Sequence, residues 1–502
     1  MTDIYIEKLN ETYLTISGDQ SVLQELKDHF AFYADGYRFH RKYRSGIWDG
    51  RIFMLSFIGR SKAKLYMGLL KEVIKFCDKR EYSYQLNPNL RSENSYNDYL
   101  DFVENLKISS KGTIITPRDY QLLGYEKAII NKRNLLLSVT GSGKSLIIYL
   151  IARFLVSKNK KGLIIVPNTG LVHQLYSDFE DYSLINNWNV EENSHKIYSG
   201  KEKYTDKPLT FSTWQSLSAL IRSNEQNADE ILNQYDFVIC DEAHLAKSTE
   251  ISKILEKCSR AEYRYGLTGT LSKCKANVNQ IIGLTGSIEK LNSTRELIEK
   301  KELSDFNVNC LVLKYDKETA ESIKKFKYSE EIKFLVTNKK RNTFIKNLAL
   351  SLKQNTIILF NFIEHGKYLY DLINNSKHKG DRNVYLIYGA IDSNERERIR
   401  KIVETEKDAI IIGSSSIMST GINIKSLHNI IFAVNGKSII RVLQSIGRAI
   451  RLHESKHKAQ IYDIIDDLTF KKHQNFMVKH FLERIKIYNE QQFEYKIKSI
   501  DF

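Results

Sequence analysis

The stretch that decides the fold is Ser138-Val-Thr-Gly-Ser-Gly-Lys-Ser145. It directly follows the apolar run Leu135–Leu137 and directly precedes an apolar segment of helical length, Leu146–Leu155. Glycines at these positions let backbone N–H groups close around phosphates, and the N-terminus of the following helix adds partial positive charge. Strand, glycine-rich loop and helix in this order predict a phosphate-binding loop, or P-loop.

Each residue of this loop has an expected role. Lys144 would contact the β- and γ-phosphates of ATP, and the hydroxyl of Ser145 would bind Mg²⁺. Ser138 takes the place of the first glycine in the common pattern GxxxxGK[ST], which is a departure. A chance Gly/Ser-rich turn is the alternative, and the order of strand, loop and helix disfavours it. The other loop positions expected to bind ATP are Thr140, Gly141, Ser142 and Gly143.

A second motif, Asp241-Glu-Ala-His244, ends the run Tyr235–Cys240 about a hundred residues after the P-loop. A carboxylate at the C-terminal end of a strand can hold Mg²⁺, the role expected of Asp241. Glu242 would polarise the attacking water, because phosphoryl transfer depends on positioning and charge. The four letters alone are a weak match, but their place after a P-loop makes them specific.

A third motif, Pro117-Arg-Asp-Tyr-Gln121, lies just upstream of the P-loop. The Gln121 amide could bond the adenine edge, while the Arg118 or Tyr120 plane stacks on the base. A short polar turn before a helix would look the same, so that alternative stays open.

Short apolar runs alternate with helix-length amphipathic segments on both sides of these motifs. Such a pattern predicts parallel sheets covered by helices on both faces. The expected strands are Asn134–Val139, Gly162–Val166, Phe237–Cys240 and Tyr265–Leu267, then Thr356–Phe360, Val384–Ile387, Ala409–Ile412, Ile430–Val434 and Gln460–Ile465. The predicted fold class is therefore α/β, with two tandem parallel-sheet lobes and a small α+β N-terminal domain.

The expected domains are residues 1–108, 109–288, 289–470 and a C-terminal basic helix, 471–502. The segment 289–340 would link the lobes and add a strand to the second. The basic residues of the C-terminal helix would either contact phosphates or brace the second lobe; they are Lys471, Lys472, Lys479, Arg484 and Lys486.

The formal net charge of +16 points to a polyanionic partner, although a merely solvated basic surface is the alternative. No apolar run is long enough to cross a bilayer, and the five scattered cysteines are typical of reduced thiols. We therefore expect a cytoplasmic protein (in the host cytoplasm if phage-encoded) without membrane association. With no heptad run, a monomer is expected.

Positive charge is concentrated in residues 36–80, which contain twelve Lys or Arg and three Asp or Glu. Aromatic residues are interleaved, and a helix is expected over Lys64–Arg80. The pattern favours a module that grips duplex DNA, and a solvated face with core aromatics is the alternative. Its expected contact residues are Arg38, Arg41, Lys42, Arg44, Trp48 and Arg51.

In this order, the motifs resemble those of superfamily 2 helicases. The further matches are Val166-Pro-Asn-Thr169, Ser212-Thr-Trp-Gln215, Leu267-Thr-Gly-Thr270, Leu359–Phe362, Ser419-Thr-Gly-Ile-Asn-Ile424 and Gln444-Ser-Ile-Gly-Arg-Ala-Ile-Arg451. The resemblance implies two RecA-like lobes with ATP in the cleft between them. Asn423 departs from the Asp found there in many relatives.

The last motif supplies the second lobe's expected contribution to catalysis. Arg448 and Arg451 lie three residues apart, so on a helix both project to one face and suit a developing phosphoryl charge. Gln444 would orient the water or the γ-phosphate, and Gly421 would admit close backbone approach. A basic surface helix is the alternative reading.

The resemblance also implies a groove that holds a nucleic-acid strand without reading its sequence. Pro167, Thr169 and Thr213 would line it in the first lobe, and a loop at Phe362–His365 would do so in the second. Coupling between the ATP site and this groove is expected from His244, Thr268 and Thr270.

Within the superfamily, residues 1–108 resemble phage recombination and branch-migration DNA helicases, through Ala34–Phe39, Trp48–Arg51 and Lys75–Asp78. This implies ATP-dependent unwinding or remodelling of forks, D-loops and Holliday junctions, with R-loops and RNA–DNA hybrids left open. The expected partners are branched, duplex and single-stranded DNA. The alternatives are an RNA helicase, a restriction-type translocase subunit, or a non-hydrolysing clamp or annealing protein.

Overall fold

The computed structural model describes residues 2–90, 96–198, 202, 204–223, 225–247, 249–415, 424, 426–434 and 458–502. By contacts the chain divides into two compact units, residues 1–138 with 143–292, and residues 139–142 with 293–502. Among the described residues, no helix is long and apolar enough to span a membrane. All five cysteines are free thiols.

The N-terminal module, residues 3–87, is a five-stranded sheet with two longer helices. The strand order is β5-β6-β2-β1-β7, antiparallel except for the parallel pair β1 and β7. A second, two-stranded sheet joins β3 to β4. The elements are β1 (Ile4–Lys8), β2 (Tyr13–Gly18), α1 (Gln20–His29), β3 (Ala31–Tyr33), α2 (Arg41–Arg44), β4 (Arg51–Phe53), β5 (Ser56–Phe57), β6 (Lys62–Tyr66), α3 (Leu70–Arg80) and β7 (Tyr84–Leu86).

The helix expected over Lys64–Arg80 is wrong in its first third. Residues 62–66 form strand β6, and the helix begins at Leu70. Ala63 and Leu65 are buried while the lysines between and beside them are not, which is the period of two typical of a half-buried strand. The apolar spacing of the following helix had masked this short alternation.

The first lobe contains a seven-stranded parallel sheet in the order β12-β13-β11-β14-β15-β10-β16. Its strands are β10 (Arg133–Leu137), β11 (Gly162–Val166), β12 (Ser194–Ile197), β13 (Leu209–Thr213), β14 (Phe237–Asp241), β15 (Tyr263–Thr268) and β16 (Ser287–Lys290). Its helices are α5 (Asp119–Asn131), α6 (Lys144–Ser157), α7 (Thr169–Ser183), α8 (Val190–Asn193), α9 (Trp214–Ser223), α10 (Glu225–Asn233), α11 (Thr249–Lys257) and α12 (Lys275–Thr285). Ahead of them lie α4 (Tyr99–Asn105) and a hairpin of β8 (Ile108–Ser110) and β9 (Thr113–Ile115).

The N-terminal module is docked on helix α12 and belongs to the same compact unit as the first lobe. A β-carbon at Gly68 would overlap the carbonyl oxygen of Ile282, so only glycine allows this approach. The hydroxyl of Tyr66 donates to Glu256 Oε1 at 2.6 Å. Arg133 of strand β10 pairs with Glu11 of the module. Close backbone packing and polar bonds thus fix the module to the lobe.

The second lobe repeats the architecture, with a seven-stranded parallel sheet in the order β19-β20-β18-β21-β22-β17-β23. Its strands are β17 (Asp305–Lys314), β18 (Thr356–Phe360), β19 (Val384–Ile387), β20 (Ile410–Ser414), β21 (Asn429–Phe432), β22 (Lys458–Asp467) and β23 (Tyr495–Asp501). Its described helices are α13 (Thr294–Glu299), α14 (Lys317–Ile323), α15 (Tyr328–Thr337), α16 (Lys339–Ser351), α17 (Ile363–Asn374), α18 (Ser393–Thr405) and α19 (Phe476–Glu490). The α/β fold with two parallel-sheet lobes is confirmed, and the 289–340 segment does supply a strand, β17.

The C-terminal segment is more than the expected basic helix. It contains helix α19 and also strand β23, which pairs with β17 along Val308–Lys314. Arg484 of the helix is buried and donates to both carboxylate oxygens of Asp463 at 2.8 and 2.9 Å. Of the two roles considered for Arg484, the structure therefore supports bracing the second lobe.

Candidate nucleotide site and basic loop

The P-loop connects the end of β10 to the first turn of α6. Gly141 and Gly143 have φ of 92° and 79°, a conformation that favours glycine. A β-carbon at Gly143 would lie 2.6 Å from Nε2 of Gln121. The loop therefore brings its backbone to the N-terminus of α6 in the form that cradles phosphate.

The departure at Ser138 has a structural reason. Ser138 is fully buried, and its N–H donates to the carbonyl of Thr268 at 3.0 Å. Its hydroxyl accepts from Asn292 Nδ2 at 2.9 Å. Lys144 Nζ donates to the Ser138 carbonyl at 3.3 Å, so serine at this position ties the P-loop to β15 and to the chain beyond β16.

The acidic motif lies at the C-terminal end of β14, where Asp241 is half-buried. Burial, with the neighbouring charge of Glu242, raises the pKa of Asp241 to about 6, while the positive charge of Lys144 acts in the opposite direction. Glu242 has φ of 52°, a strained backbone for a residue with a side chain. His244 Nδ1 lies 3.2 Å from Glu242 Oε2 and 3.0 Å from Thr268 Oγ1. The structure thus joins the acidic motif to the β15 loop through His244.

Thr268 continues this network into the loop after β15. Its hydroxyl donates to the carbonyl of Thr270 at 3.0 Å, and both residues are buried. Helix α12, the docking surface of the N-terminal module, begins a few residues later at Lys275. The three residues expected to couple the motor are therefore in contact with one another.

The side chains present fit ATP with Mg²⁺. Serine hydroxyl and carboxylate oxygens are ligands that Mg²⁺ prefers, and it binds proteins through one or two carboxylates with phosphates and waters completing its shell. Asp241 and Ser145 supply that donor set. Because the described residues contain no cluster of three or more His, Cys, Asp or Glu, a site completed by the nucleotide suits them better than an all-protein cage.

Tyr182 was missed by the sequence analysis. Its hydroxyl lies 2.9 Å from Ser145 Oγ, and its burial raises the pKa of the phenol, which stays protonated. Tyr182 is at the far end of α7, 37 residues away in the chain, and no local pattern marks it. It sets the direction of the hydroxyl expected to bind the metal.

The expected adenine-binding turn is engaged within the protein. Gln121 is buried; its Oε1 accepts from the Arg118 N–H at 2.9 Å and its Nε2 donates to the Gly143 carbonyl at 3.3 Å. Arg118 also donates to the hydroxyl of Tyr120, which is buried. The turn is therefore tied to the P-loop, and Gln121 links the two motifs physically.

The residues expected along the nucleic-acid groove differ in exposure. The side chain of Thr169 is exposed, at the start of α7, whereas Pro167 and Thr213 are buried. The Thr213 hydroxyl is 2.9 Å from Ser216 Oγ in the first turn of α9. In the second lobe, His365 is buried, and Nε2 bonds Asn342 Oδ1 at 2.9 Å, so its expected place on the groove surface is wrong.

The residues expected to bind DNA in the N-terminal module fall into two groups. Arg38, Arg41, Lys42 and Arg44 are exposed, and within the described part of the chain none of them pairs with a carboxylate. By contrast, Trp48 is half-buried and donates to the Arg51 carbonyl at 2.8 Å, and Arg51 bonds Asp49 at 2.6 Å. Trp48 and Arg51 therefore shape the loop that carries the four free cations.

Gly421, Asn423, Gln444, Arg448 and Arg451 lie outside the described residues. Their expected roles in the second lobe stay predictions from sequence.

Comparison with known proteins agrees with this arrangement. Three family models match, for the N-terminal part of the DNA helicase UvsW (residues 3–87), the res subunit of type III restriction enzymes (114–273) and the helicase conserved C-terminal domain (339–453). The ATP-dependent DNA helicase uvsW of Enterobacteria phage T4 is 34% identical over 515 residues, covering 99% of this chain and all of that protein.

Solved structures give the same result. The crystal structure of T4 UvsW covers all of both chains at 33% identity, with a TM-score of 0.52. The DNA-bound restriction-modification enzyme LlaBIII shares the fold alone, at 16% identity and a TM-score of 0.57, over 86% of this chain and 34% of its own. Two RecA-like lobes, a P-loop and an acidic strand end define the class of superfamily 2 helicases. Within that class, the chain belongs to the UvsW family of DNA helicases.

Proposed function

We propose that this helicase uses ATP hydrolysis to unwind or remodel branched DNA, namely forks, D-loops and Holliday junctions, in phage recombination, repair and replication. The observation that carries the proposal is the docking of the basic N-terminal module on helix α12. The same compact unit holds the P-loop and the acidic motif. A module fixed to the motor in this way can hold a duplex arm while the motor acts on a strand.

The hydrolysis step uses residues of the first lobe in separate roles. Lys144 contacts the transferred phosphate, and Ser145 and Asp241 hold Mg²⁺, which would neutralise phosphate charge when bound. Glu242 orients the attacking water, since its carboxylate is held beside His244. From the second lobe, Gln444, Arg448 and Arg451 are proposed to complete the site, with the arginines stabilising the charge that develops on the phosphate.

DNA is held chiefly through its backbone. The four free cations Arg38, Arg41, Lys42 and Arg44 suit phosphates, which carry no sequence information. We therefore expect little base preference, and RNA–DNA hybrids in R-loops are a further proposed substrate. The enzyme is proposed to act as a monomer in the cytoplasm of the host cell.

Steady-state ATPase activity tests this function. It is measured without nucleic acid and with single-stranded DNA, linear duplex, a four-way junction or single-stranded RNA. We expect strong stimulation by DNA, greatest with the junction. Stimulation only by RNA would instead identify an RNA helicase, and no turnover with any of them would favour a clamp.

A charge series locates the duplex grip. Replacing Arg41, Lys42 and Arg44 by Ala should weaken junction binding and flatten its salt dependence, by about 0.9 in the log–log slope per lost phosphate contact. The matched control replaces Lys71, Lys75 and Lys79 of α3, three cations of the same module. An unchanged slope in the first variant would return the basic loop to an ordinary solvated surface.

A further inference from the structure

The two most exposed large apolar side chains of the described residues lie in one short segment, residues 36–48, called here the basic loop. Phe39 is 78% exposed and Ile47 is 77% exposed. Seven of the 22 exposed large apolar side chains in the described part of the chain lie between residues 33 and 58. Because concentrated apolar exposure is uncommon on a monomer, such a patch indicates a contact surface.

The basic loop is folded, so these two side chains are held outward by a frame. Tyr33 stacks on Tyr37 with ring centroids 4.5 Å apart, and Tyr37 meets Tyr43 edge-on at 4.9 Å. The Ile47 N–H donates to the Lys42 carbonyl at 3.0 Å, which closes the turn. The aromatic core of the loop thus forms without Phe39 or Ile47.

Neighbouring exposed aromatics are covered by cations, and Phe39 is different. Lys27 Nζ lies 5.1 Å from the ring centroid of Phe53 and 5.0 Å from that of Phe57. Among the described residues, no cation and no ring is placed over Phe39. Around it stand the cations Arg38, Arg41, Lys42 and Arg44, with no acidic residue between positions 36 and 48.

We infer that Phe39 and Ile47 form a wedge that inserts at the branch point of a DNA junction and stacks against the base pair exposed there. An apolar tip surrounded by unpaired cations matches a base stack bordered by phosphates. Apolar side chains inserted between base steps unstack them, and stacking of a base on an aromatic ring tolerates any sequence. The inference deepens the proposed function and rests on it.

Docking gives the wedge a means of movement. The module shares a rigid contact with α12, through Gly68 at Ile282 and through the Tyr66–Glu256 bond. A displacement of the first lobe along a strand therefore carries the loop with it. The wedge would split the next base pair while the lobe advances.

The test uses the full chain and a three-way junction with 2-aminopurine at the branch-point base pair. Wild-type protein without ATP should raise the 2-aminopurine fluorescence, which reports unstacking. The double variant Phe39→Ala/Ile47→Ala should lose most of this rise and unwind the junction about tenfold more slowly. Its ATPase, stimulated by single-stranded DNA, should stay within about twofold, because the four cations and the P-loop are intact.

The control is Leu184→Ala, which removes a side chain that is 65% exposed in the first lobe. It should leave both fluorescence and unwinding unchanged. Wild-type fluorescence and unwinding in the double variant would overturn the wedge while leaving the helicase function standing. Failure of the wild-type protein to bind any DNA would instead overturn the proposed function. Sedimentation with phosphatidylserine vesicles that depends on Phe39, without a fluorescence change on DNA, would assign the tip to a membrane surface and also overturn the wedge.

Discussion

The two lobes share a seven-stranded parallel sheet, yet they use acidic residues in opposite ways. Strand β14 of the first lobe ends in Asp241, half-buried beside the P-loop lysine. Strand β22 of the second lobe carries Asp463 and Asp466, both fully buried. Asp463 accepts two bonds from Arg484, and Asp466 accepts one from Arg341 at 2.7 Å.

This difference separates acids that do chemistry from acids that hold structure. A carboxylate at an open strand end can take a metal, and its perturbed pKa follows from its setting. A carboxylate inside the lobe is tolerated only because an arginine satisfies it, and removing that partner leaves an uncompensated charge. Mutations at the two places should therefore fail in different measurements.

The largest effect is expected at the P-loop. Lys144→Ala should lower kcat by at least about 10³-fold, the scale for losing a cation at a transferred phosphate. Its thermal unfolding should hardly change, because the only printed partner of the amine is one carbonyl, that of Ser138. The control, Lys158→Ala at the other end of α6, removes an exposed pair with Asp98 and should leave turnover intact. Undiminished ATPase in Lys144→Ala would remove the P-loop assignment.

In the second lobe, Arg484→Met should cost about 3–5 kcal/mol of unfolding free energy, because Asp463 is left buried without its partner. Replacing both, as Arg484→Met/Asp463→Leu, should restore much of the loss. Lys486→Met is the control, since its exposed pair with Glu483 contributes at most about 1 kcal/mol. The three tryptophans all lie in the first unit, so hydrogen exchange in β22 is the suitable measurement. A loss of stability confined to Lys486→Met would contradict the comparison.

A smaller effect is expected from pH. Burial, followed by the charge of Arg341, lowers the pKa of His365 from its ordinary 6.5 to about 3. Between these values the unfolded chain binds a proton that the folded lobe does not, so stability is lost as the pH falls below 6.5. From pH 7.5 to pH 5 the second lobe should lose about 2 kcal/mol.

The check is hydrogen exchange of β18 at both pH values in the wild-type protein and in His365→Gln. The variant should lose this part of the pH dependence, whatever its stability at pH 7.5. An equal pH dependence in both proteins would mean that His365 stays uncharged for no energetic cost, and the assignment would fail.

The smallest effect is expected at Tyr182. Tyr182→Phe removes the bond to Ser145, and the loss of one hydrogen bond, about 1 kcal/mol, corresponds to roughly a fivefold higher Mg²⁺ requirement. ATPase titrated with Mg²⁺ at saturating ATP measures this. Tyr149→Phe is the matched control, because its hydroxyl bonds Ser183, Arg153 and Asn186 and not Ser145. A similar shift in both variants would indicate a general loosening of α7.

The P-loop and the strands around it could be read from sequence because their determinants are local. Continuous apolar runs such as Gly162–Val166 and Thr356–Phe360 mark buried parallel strands, and the structure has them at these bounds. The short strand Lys62–Tyr66 was missed because an adjacent helical period extended over it. The side chain of Tyr182 could not be found, because its contact joins two helices distant in the chain.

The sequence by itself determined the class of the protein, since a P-loop, an acidic strand end and ordered helicase motifs depend on residues adjacent in the chain. It also located the positive charge in residues 36–80. Only the tertiary structure decided which charges are free. The Arg38 and Arg484 guanidiniums look alike in sequence, but one is exposed on the basic loop and the other is buried against Asp463. Burial and pairing depend on contacts between distant segments, and these arise only when the chain is folded.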